Sequence, residues 1–319
     1  MTVNANQPRR REYEALMEQL DGPPFPERAQ AQAWHYTDAG GLLGILQANR
    51  LWASSPQVLN DDSEVLYGVT IVREALENLI ASGSLPKDYW AYLRRVVDES
   101  WVESIQASIF IASASRSGDL LNQWRGYANA DGFALGFELA GSWGTRGVVG
   151  PDGLETLRTP IVPGWYGVIY DREKQLKQAR NSLLIATGQP PGVSDLWLKS
   201  PREWVTAIPQ TRMLLSVAPV TMKHPAFRDE REVRYVGGAT DGTVMFRAAG
   251  GRVIPYTPVG LLSGSAKTNR SADEVFPLKS IVCGPGCRPG TVDVVRRALS
   301  SFGYTDVDVS TSAVPYMGK

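Results

Sequence analysis

Two glutamates separated by one residue are the clearest chemical feature of this sequence. Glu230 and Glu232 stand in the segment 227–236, which reads Phe-Arg-Asp-Glu-Arg-Glu-Val-Arg-Tyr-Val. If the segment is a β-strand, its period of two places Glu230, Glu232 and Arg234 on one face. Neighbouring carboxylates raise the cost of ionising each other unless a cation such as Arg234 offsets it. The pattern therefore suits a catalytic pair, or alternatively a solvated edge strand whose charges deter edge-to-edge pairing.

His35 is the second candidate, because the chain contains only two histidines. It stands in the segment Ala-Trp-His-Tyr-Thr, which is predicted to be a short strand over residues 33–37. Asp38 is expected to be the N-cap of the apolar-periodic helix that follows. A histidine in this place either contacts a ligand or is a core histidine whose ring bonds a backbone carbonyl.

Aromatic and small polar residues form a third group. Trp124 and Tyr127 are three residues apart in a predicted helical turn over residues 120–127, so we expect them on one face. They either stack on a ligand or belong to the core, since helical aromatics bury a large apolar area. The small residues Ser113-Ala114-Ser115 follow a predicted buried strand and would let the backbone approach a ligand closely.

Composition narrows the classes of protein to consider. At 319 residues and 43% hydrophobic residues, the chain is long enough for a sizeable core. Lys plus Arg equals Asp plus Glu at 33 each, so no basic excess favours non-specific binding to nucleic acid or to an anionic membrane. No run approaches the roughly 20 apolar residues of a membrane span, and the N-terminal segment is polar. We therefore expect a cytoplasmic protein.

Two polar features have an ordinary structural explanation beside a functional one. Cys283 and Cys287 are the only cysteines and lie far in sequence from both histidines, so a structural metal site is not expected. They mark either a turn after a buried strand or a redox pair. Asn60-Asp61, ahead of Glu64, is either a turn that caps a helix or part of a site.

The order of predicted elements indicates an α+β fold with a predominantly antiparallel sheet. Residues 1–30 are predicted to be an N-terminal helical appendage and linker, and residues 31–319 a single α+β domain. A helical insertion is expected at about 171–218, and the final third is rich in strands. The predicted helices span about 9–20, 64–79, 87–104, 171–187, 194–218 and 291–302.

These motifs, in this order, resemble the bacterial family known as domain of unknown function 2971. The resemblance covers nearly the whole chain after residue 30. It is carried by His35-Tyr36-Thr37, Leu51-Trp52-Ala53, Asn60-Asp61 with Glu64, Ser113-Ala114-Ser115, Trp124 with Tyr127, Gly132-Phe133 with Gly136-Phe137, Glu230 to Arg234, and Ile281 to Pro285.

The same elements are also similar to divergent ADP-ribosyltransferases, which implies an antiparallel core of split sheets and an NAD site. By this resemblance Glu232 accepts from the ribose 2′-hydroxyl and stabilises the oxocarbenium-like transition state, while Glu230 activates an acceptor. His35 is placed at the nicotinamide ribose, at the first-strand position where these enzymes carry a histidine or an arginine. The remaining cofactor contacts are Tyr36, Thr37, Ser113, Trp124, Tyr127, and Arg234, with Tyr127 the first choice for stacking on nicotinamide.

The resemblance implies an NAD-dependent ADP-ribosyltransferase or NAD glycohydrolase of the bacterial toxin or phage-defence kind. Its expected partners are NAD, an unidentified protein or nucleic-acid acceptor, and an antitoxin or defence-system protein. The alternative is a non-catalytic module that binds a nucleotide or effector. A third hypothesis is a phosphodiesterase that holds Mg²⁺ with Asp61, Glu64, Glu230 and Glu232.

Overall fold

The computed structural model describes twelve stretches of the chain. They are residues 20–21, 23, 26–29, 31–58, 63–84, 87–145, 163–187, 208–209, 211–239, 243–249, 251–261 and 276–316. Asn60, Asp61, almost all of the predicted helix at 9–20 and most of the one at 194–218 lie outside these residues. In the stretches described, no helix has both the length and the apolar character needed to cross a membrane.

Eleven strands within the described residues form one mostly antiparallel sheet. The strands are β1 (Gln32–Thr37), β2 (Leu51–Ser54), β3 (Ile109–Ser115), β4 (Phe133–Glu138), β5 (Trp143–Thr145), β6 (Gly164–Gly167), β7 (Glu232–Gly238), β8 (Met245–Ala249), β9 (Arg252–Leu261), β10 (Leu278–Cys283) and β11 (Asp308–Thr311). Among the pairings between these strands, only that of β10 with β11 is parallel. The predicted α+β class with an antiparallel sheet is confirmed.

The sheet branches at β3. One edge of β3 pairs with β7 along all seven of its residues. Its other edge meets β1 only at Trp34 opposite Ser115, and β2 only at Ser54 opposite Ile111. One branch continues through β1, β4, β10 and β11, and the other through β2 and β9 to β5 and β8. Because β7 also pairs with β6 and is buried throughout, the alternative of a solvated edge strand is wrong.

Six helices of at least nine residues lie in the described part of the chain. They are α1 (Ala39–Ala48), α2 (Ser63–Ala81), α3 (Lys87–Val96), α4 (Ser100–Ser108), α5 (Arg172–Thr187) and α6 (Thr291–Ser301). Asp38 caps α1 as predicted, since its carboxylate accepts from the Gly41 amide. The single helix expected at 87–104 is instead two helices, α3 and α4, separated by residues 97–99. Between them the Asp98 carboxylate accepts from the amide and hydroxyl of Ser100.

The two faces of the sheet bury different cores. The helical core packs α2, α4 and α5 against residues such as Ile109, Ile111 and Val236. The opposite core contains residues from most strands together with α1 and α6. Phe133, Leu135 and Phe137 share this opposite core, which confirms the alternation predicted for β4. In β7, Val233 and Tyr235 face the opposite core, so Glu232 and Arg234 face the helical side.

Candidate functional site

Lys223 lies at the centre of a buried cluster of charges under the helical layer. Its ammonium nitrogen is 2.9 Å from Oε1 of Glu64, 2.6 Å from Oε2 of Glu230 and 3.1 Å from Oε2 of Glu232. Only 2% of the Lys223 side chain is exposed, against 13% for Glu64 and for Glu230. One ammonium group therefore joins three carboxylates, and its three hydrogens match those three acceptors.

Arg234 completes the cluster from β7. Its Nε donates to Oε1 of Glu232 at 2.7 Å, and its Nη2 donates to Oε2 of the same carboxylate at 2.9 Å. Nη2 also bonds Glu64, while Nη1 donates to the Val220 carbonyl at 2.9 Å. The forked guanidinium thus holds Glu232 through two parallel bonds and fixes its orientation.

Local backbone geometry brings the two glutamates of the Glu-Arg-Glu motif together. The predicted strand begins only at Glu232, because residues 225–230 form a 3₁₀ helix that starts at Pro225. Arg231 then adopts a left-handed conformation with φ of 49° and caps the end of this 3₁₀ helix. Glu230 therefore reaches Lys223 from a helix end and Glu232 from a strand, so they do not share one strand face as the period of two predicted.

The cluster contains three carboxylates and two cations. Although burial opposes ionisation, Arg234 and Lys223 outweigh it and lower the pKa of Glu232 to about 2. Burial would lower the pKa of Lys223, but the Glu232 carboxylate reverses this and raises it. The pKa of Glu230 is raised by burial, against the bond from Lys223. Glu232 is thus ionised at neutral pH, and Glu230 is the carboxylate that takes up a proton more readily.

Neighbouring polar groups hold the two glutamates in place. The side chain of Ser113 lies on the same face of the sheet as Glu232, and the backbone amide of Glu232 donates to the Tyr170 hydroxyl at 2.9 Å. The Ser115 hydroxyl donates to the Glu230 carbonyl at 2.8 Å. The serines reach these positions because β3 pairs in register with β7, Ser113 opposite Arg234 and Ser115 opposite Glu232.

Tyr127 lies at the exposed rim of the cluster. It belongs to a π-helix, Trp124–Ala128, and 44% of its side chain is exposed. Partial burial, opposed by the charge of Lys223 and assisted by those of Glu230 and Glu232, raises the pKa of its phenol to about 12. The phenol is therefore within electrostatic range of the buried carboxylates. π-Helical turns are frequent at functional sites.

Trp124 and Tyr127 do not share a face, so this prediction is wrong. Trp124 is fully buried, its ring meets that of Tyr36 edge-on at 4.8 Å, and its indole nitrogen donates to Asp119. The wider turn of the π-helix separates residues that an α-helix would place together. The Tyr36 side chain is held by two hydrogen bonds, because its hydroxyl donates to the Ser117 carbonyl and accepts from the Leu120 amide.

His35 lies on the opposite face of the sheet from Glu232. Trp34 pairs with Ser115, which pairs with Glu232, so these side chains lie on one face of the sheet. Because side chains alternate along β1, Tyr36 lies on that face too, whereas Ala33, His35 and Thr37 face the opposite core. The Nδ1–H of His35 donates to the Ser113 carbonyl at 2.9 Å, in the gap where β1 leaves β3. Burial lowers the pKa of its imidazole, which is therefore neutral at pH 7.

The structure thus brings together one part of the predicted site. Ser113, Glu230, Glu232, Arg234 and Tyr127 surround one cluster, and Tyr36 with Trp124 form an aromatic core on the same face. His35 and Thr37 lie on the other face.

Sequence reasoning missed Lys223 and Tyr170. Lys223 directly follows the largely apolar run Val217 to Met222, and this position indicates burial. An unpaired charge would be costly there. A buried lysine requires a carboxylate partner, and Glu230 and Glu232 follow within nine residues.

The carboxylates that the Mg²⁺ hypothesis requires are already paired with the side-chain cations of Lys223 and Arg234. Asp61 lies outside the described residues, and the remaining three glutamates accept from Lys223 and Arg234. In the ranges that the structure covers, no group of three or more His, Cys, Asp or Glu side chains is arranged to hold a metal ion.

Residues 123–235 match the family described as Protein of unknown function (DUF2971). The matched segment spans less than half of the chain, and it includes the π-helix, α5, Lys223, both glutamates and Arg234. The chain is therefore similar to this family in the region that supplies most of the cluster. No curated protein and no solved structure matches the chain.

Proposed function

We propose that this protein cleaves the nicotinamide–ribose bond of NAD, as an ADP-ribosyltransferase or NAD glycohydrolase. The observation that carries the proposal is Glu232, a buried carboxylate that Arg234 keeps ionised and oriented. A fixed negative charge in a site shielded from water is suited to stabilise positive charge that develops on a ligand. The branching of the sheet at β3 supports the comparison with split-sheet ADP-ribosyltransferases.

In the proposed reaction, the bond between C1′ of the ribose and the nicotinamide nitrogen breaks, and its electron pair leaves with neutral nicotinamide. Glu232 stabilises the oxocarbenium-like ribose and accepts from its 2′-hydroxyl, which takes the place of Lys223 at Oε2. A nucleophilic atom of the acceptor, or water, then bonds C1′, and its proton goes to Glu230. The raised pKa of Glu230 suits this role as a base, and the half-exposed Tyr127 ring is available to stack on nicotinamide.

The acceptor in this proposal is a protein or nucleic acid of the cell, and a toxin or phage-defence role would bring an antitoxin or defence-system partner. A non-catalytic module that binds a nucleotide or effector is the second candidate. Two observations favour it: Lys223 and Arg234 already bind all three glutamates, and His35 faces away from them. Such a module would bind its nucleotide without breaking a bond.

The test is nicotinamide release from NAD by the purified protein, with and without a cell lysate as a source of acceptor. Glu232→Gln is expected to reduce release at least 100-fold, since one oriented group at developing charge contributes about 10²–10³ in rate. Glu230→Gln changes a less buried member and is expected to reduce release about 10²-fold or more through loss of the base. Glu138→Gln, in an exposed ion pair with Lys279, is the matched control and should retain full activity.

The outcomes separate the two candidates. Circular dichroism of each variant shows whether it is folded, so that loss of activity is not confused with loss of structure. Unchanged release by a folded Glu232→Gln protein would contradict its catalytic role. If the wild-type protein binds NAD in calorimetry but releases no nicotinamide with or without lysate, the binding module is the correct function.

A further inference from the structure

Cys283 and Cys287 are held together by a turn with a fixed backbone. Cys283 ends β10 and is fully buried, whereas Cys287 is partly exposed. The Cys287 amide donates to the Gly284 carbonyl at 3.0 Å and closes a four-residue turn. The amides of Gly284 and Gly286 donate to the carbonyls of Gly132 and Ala130 at 2.8 and 2.7 Å. The turn is therefore anchored to a second loop, and the two cysteines are both free thiols.

Cys287 packs against the opposite core, which contains Cys283, and the two thiols differ in their surroundings. The interaction between the two thiols lowers the pKa of Cys287 and raises that of Cys283. The sulfur of Cys287 also lies 3.5 Å from the Asp131 carbonyl oxygen and 3.7 Å from that of Gly132. The more exposed thiol of such a pair is the one that reacts first with an external disulfide, and a buried neighbouring thiol can then displace the product.

We propose that Cys283 and Cys287 form a reversible redox modification site that closes an intramolecular disulfide by exchange with a small organic disulfide such as oxidised glutathione. The Cys287 thiolate attacks one glutathione sulfur, the glutathione S–S bond breaks, and one glutathione thiolate leaves and takes up a proton. Cys283 then loses its proton and attacks the Cys287 sulfur, which releases the second glutathione. Two cysteine thiols are oxidised and one glutathione disulfide is reduced to two thiols, so atoms and electrons balance.

The cysteine turn is hydrogen-bonded to a loop that lies next to the π-helix. The loop that receives the two amide bonds, residues 129–132, directly follows the π-helix that carries Tyr127. A disulfide in the turn changes the position of the Gly284 and Gly286 amides relative to that loop. The site is nevertheless independent of NAD chemistry, because neither thiol belongs to the charged cluster.

The experiment equilibrates the full-length protein in glutathione buffers of increasing oxidised fraction, followed by acid quenching, alkylation and mass spectrometry. We expect both thiols to become protected from alkylation together, with no lasting glutathione adduct and full recovery on adding dithiothreitol. Circular dichroism should show a folded protein throughout. Cys283→Ser is expected to accumulate a glutathione adduct on Cys287, because the displacing thiol is missing.

Cys287→Ser is the matched control and is expected to leave Cys283 unreacted, because that thiol is buried. A wild-type protein that accumulates an adduct on Cys287 while Cys283 remains open to alkylation on denaturation would overturn the proposal. Failure of both thiols to react in the folded protein, or a disulfide formed between two chains, would overturn it equally.

Discussion

Glu232 shows how one buried charge depends on its partners. Its pKa in the folded protein is about 2, against an ordinary value of 4.5. A carboxyl group whose pKa is lowered by folding contributes stability above its unfolded pKa and loses that contribution as pH falls through the folded value. The gap corresponds to about 3 kcal/mol at neutral pH. This contribution is expected to disappear between about pH 5 and pH 2.

We therefore predict that Glu232→Gln lowers the free energy of unfolding by about 3 kcal/mol at pH 7, and by progressively less as pH falls towards 2. Urea denaturation of both proteins at a series of pH values measures the difference. Glu138→Gln removes a carboxylate from an exposed ion pair and should change stability by less than about 1 kcal/mol. A difference that stays constant down to pH 2 would show that Glu232 does not titrate in this way.

The candidate site was predictable only where its chemistry is local in sequence. Glu230, Glu232 and Arg234 lie within five residues, and their charge pattern is visible without a structure. Glu64 and Lys223 reach the same point from α2 and from the segment after Val220, which only the folded chain brings together. For His35, the structure matches the expectation of a histidine bonded to a backbone carbonyl.

At the scale of elements, α2 packs in close contact with the short helix Val217–Val220. A Cβ atom at Gly68 would lie 2.1 Å from the Pro219 carbonyl oxygen and 2.6 Å from its Cα. Backbone atoms cannot move aside as a flexible side chain can. The same short helix precedes Lys223, which pairs with Glu64 of α2.

Gly68→Ala is accordingly expected to lower the free energy of unfolding by about 1–3 kcal/mol, because the added methyl group overpacks the contact. Gly126→Ala is the matched control, since a Cβ atom there meets nothing within 4 Å. It should leave stability within about 1 kcal/mol of wild type. Thermal and urea unfolding measure both variants, and equal stability of the two would contradict the close packing of α2.

Elements with strong local signals were predicted well, and those set by competing local bonds were not. The α1 cap at Asp38 and the alternation of β4 follow from residue types and spacing alone. The break between α3 and α4 lies where the Asp98 carboxylate bonds Ser100, and the late start of β7 follows a left-handed Arg231. The π-helix has no periodicity of its own in the sequence, so Trp124 and Tyr127 were placed on one face.

At the scale of the whole molecule, the branch at β3 is the feature that sequence patterns did not reveal. Alternation identifies a strand and its buried face, but it does not say which strands pair. The α+β class followed from the order of elements. The meeting of β1, β2 and β7 on one strand instead requires contacts between residues far apart in sequence, such as Trp34 with Ser115 and Ser54 with Ile111. The position of the charged cluster is a consequence of that pairing.

The same topology predicts how stability is distributed across the sheet. β3 and β7 are buried and have at least one strand partner on each edge, although the second edge of β3 meets β1 and β2 at one residue pair each. The described pairings of β8 and β11 are with one neighbour each, β9 and β10. Amides in doubly paired, buried strands exchange only in large openings, while those in edge strands exchange through local fraying. We therefore expect native-state hydrogen exchange to be slowest in β3 and β7 and at least 100-fold faster in β8 and β11.

Exchange followed by mass spectrometry or NMR measures this pattern segment by segment. Within β7, the amide of Glu232 donates to the Tyr170 hydroxyl rather than to a strand, so its protection reports directly on the closure of the cluster. Glu232→Gln should accelerate exchange at the start of β7 more than in the middle of β3. Uniform exchange across all four strands would mean that the sheet opens as one unit and that the branch at β3 does not organise its stability.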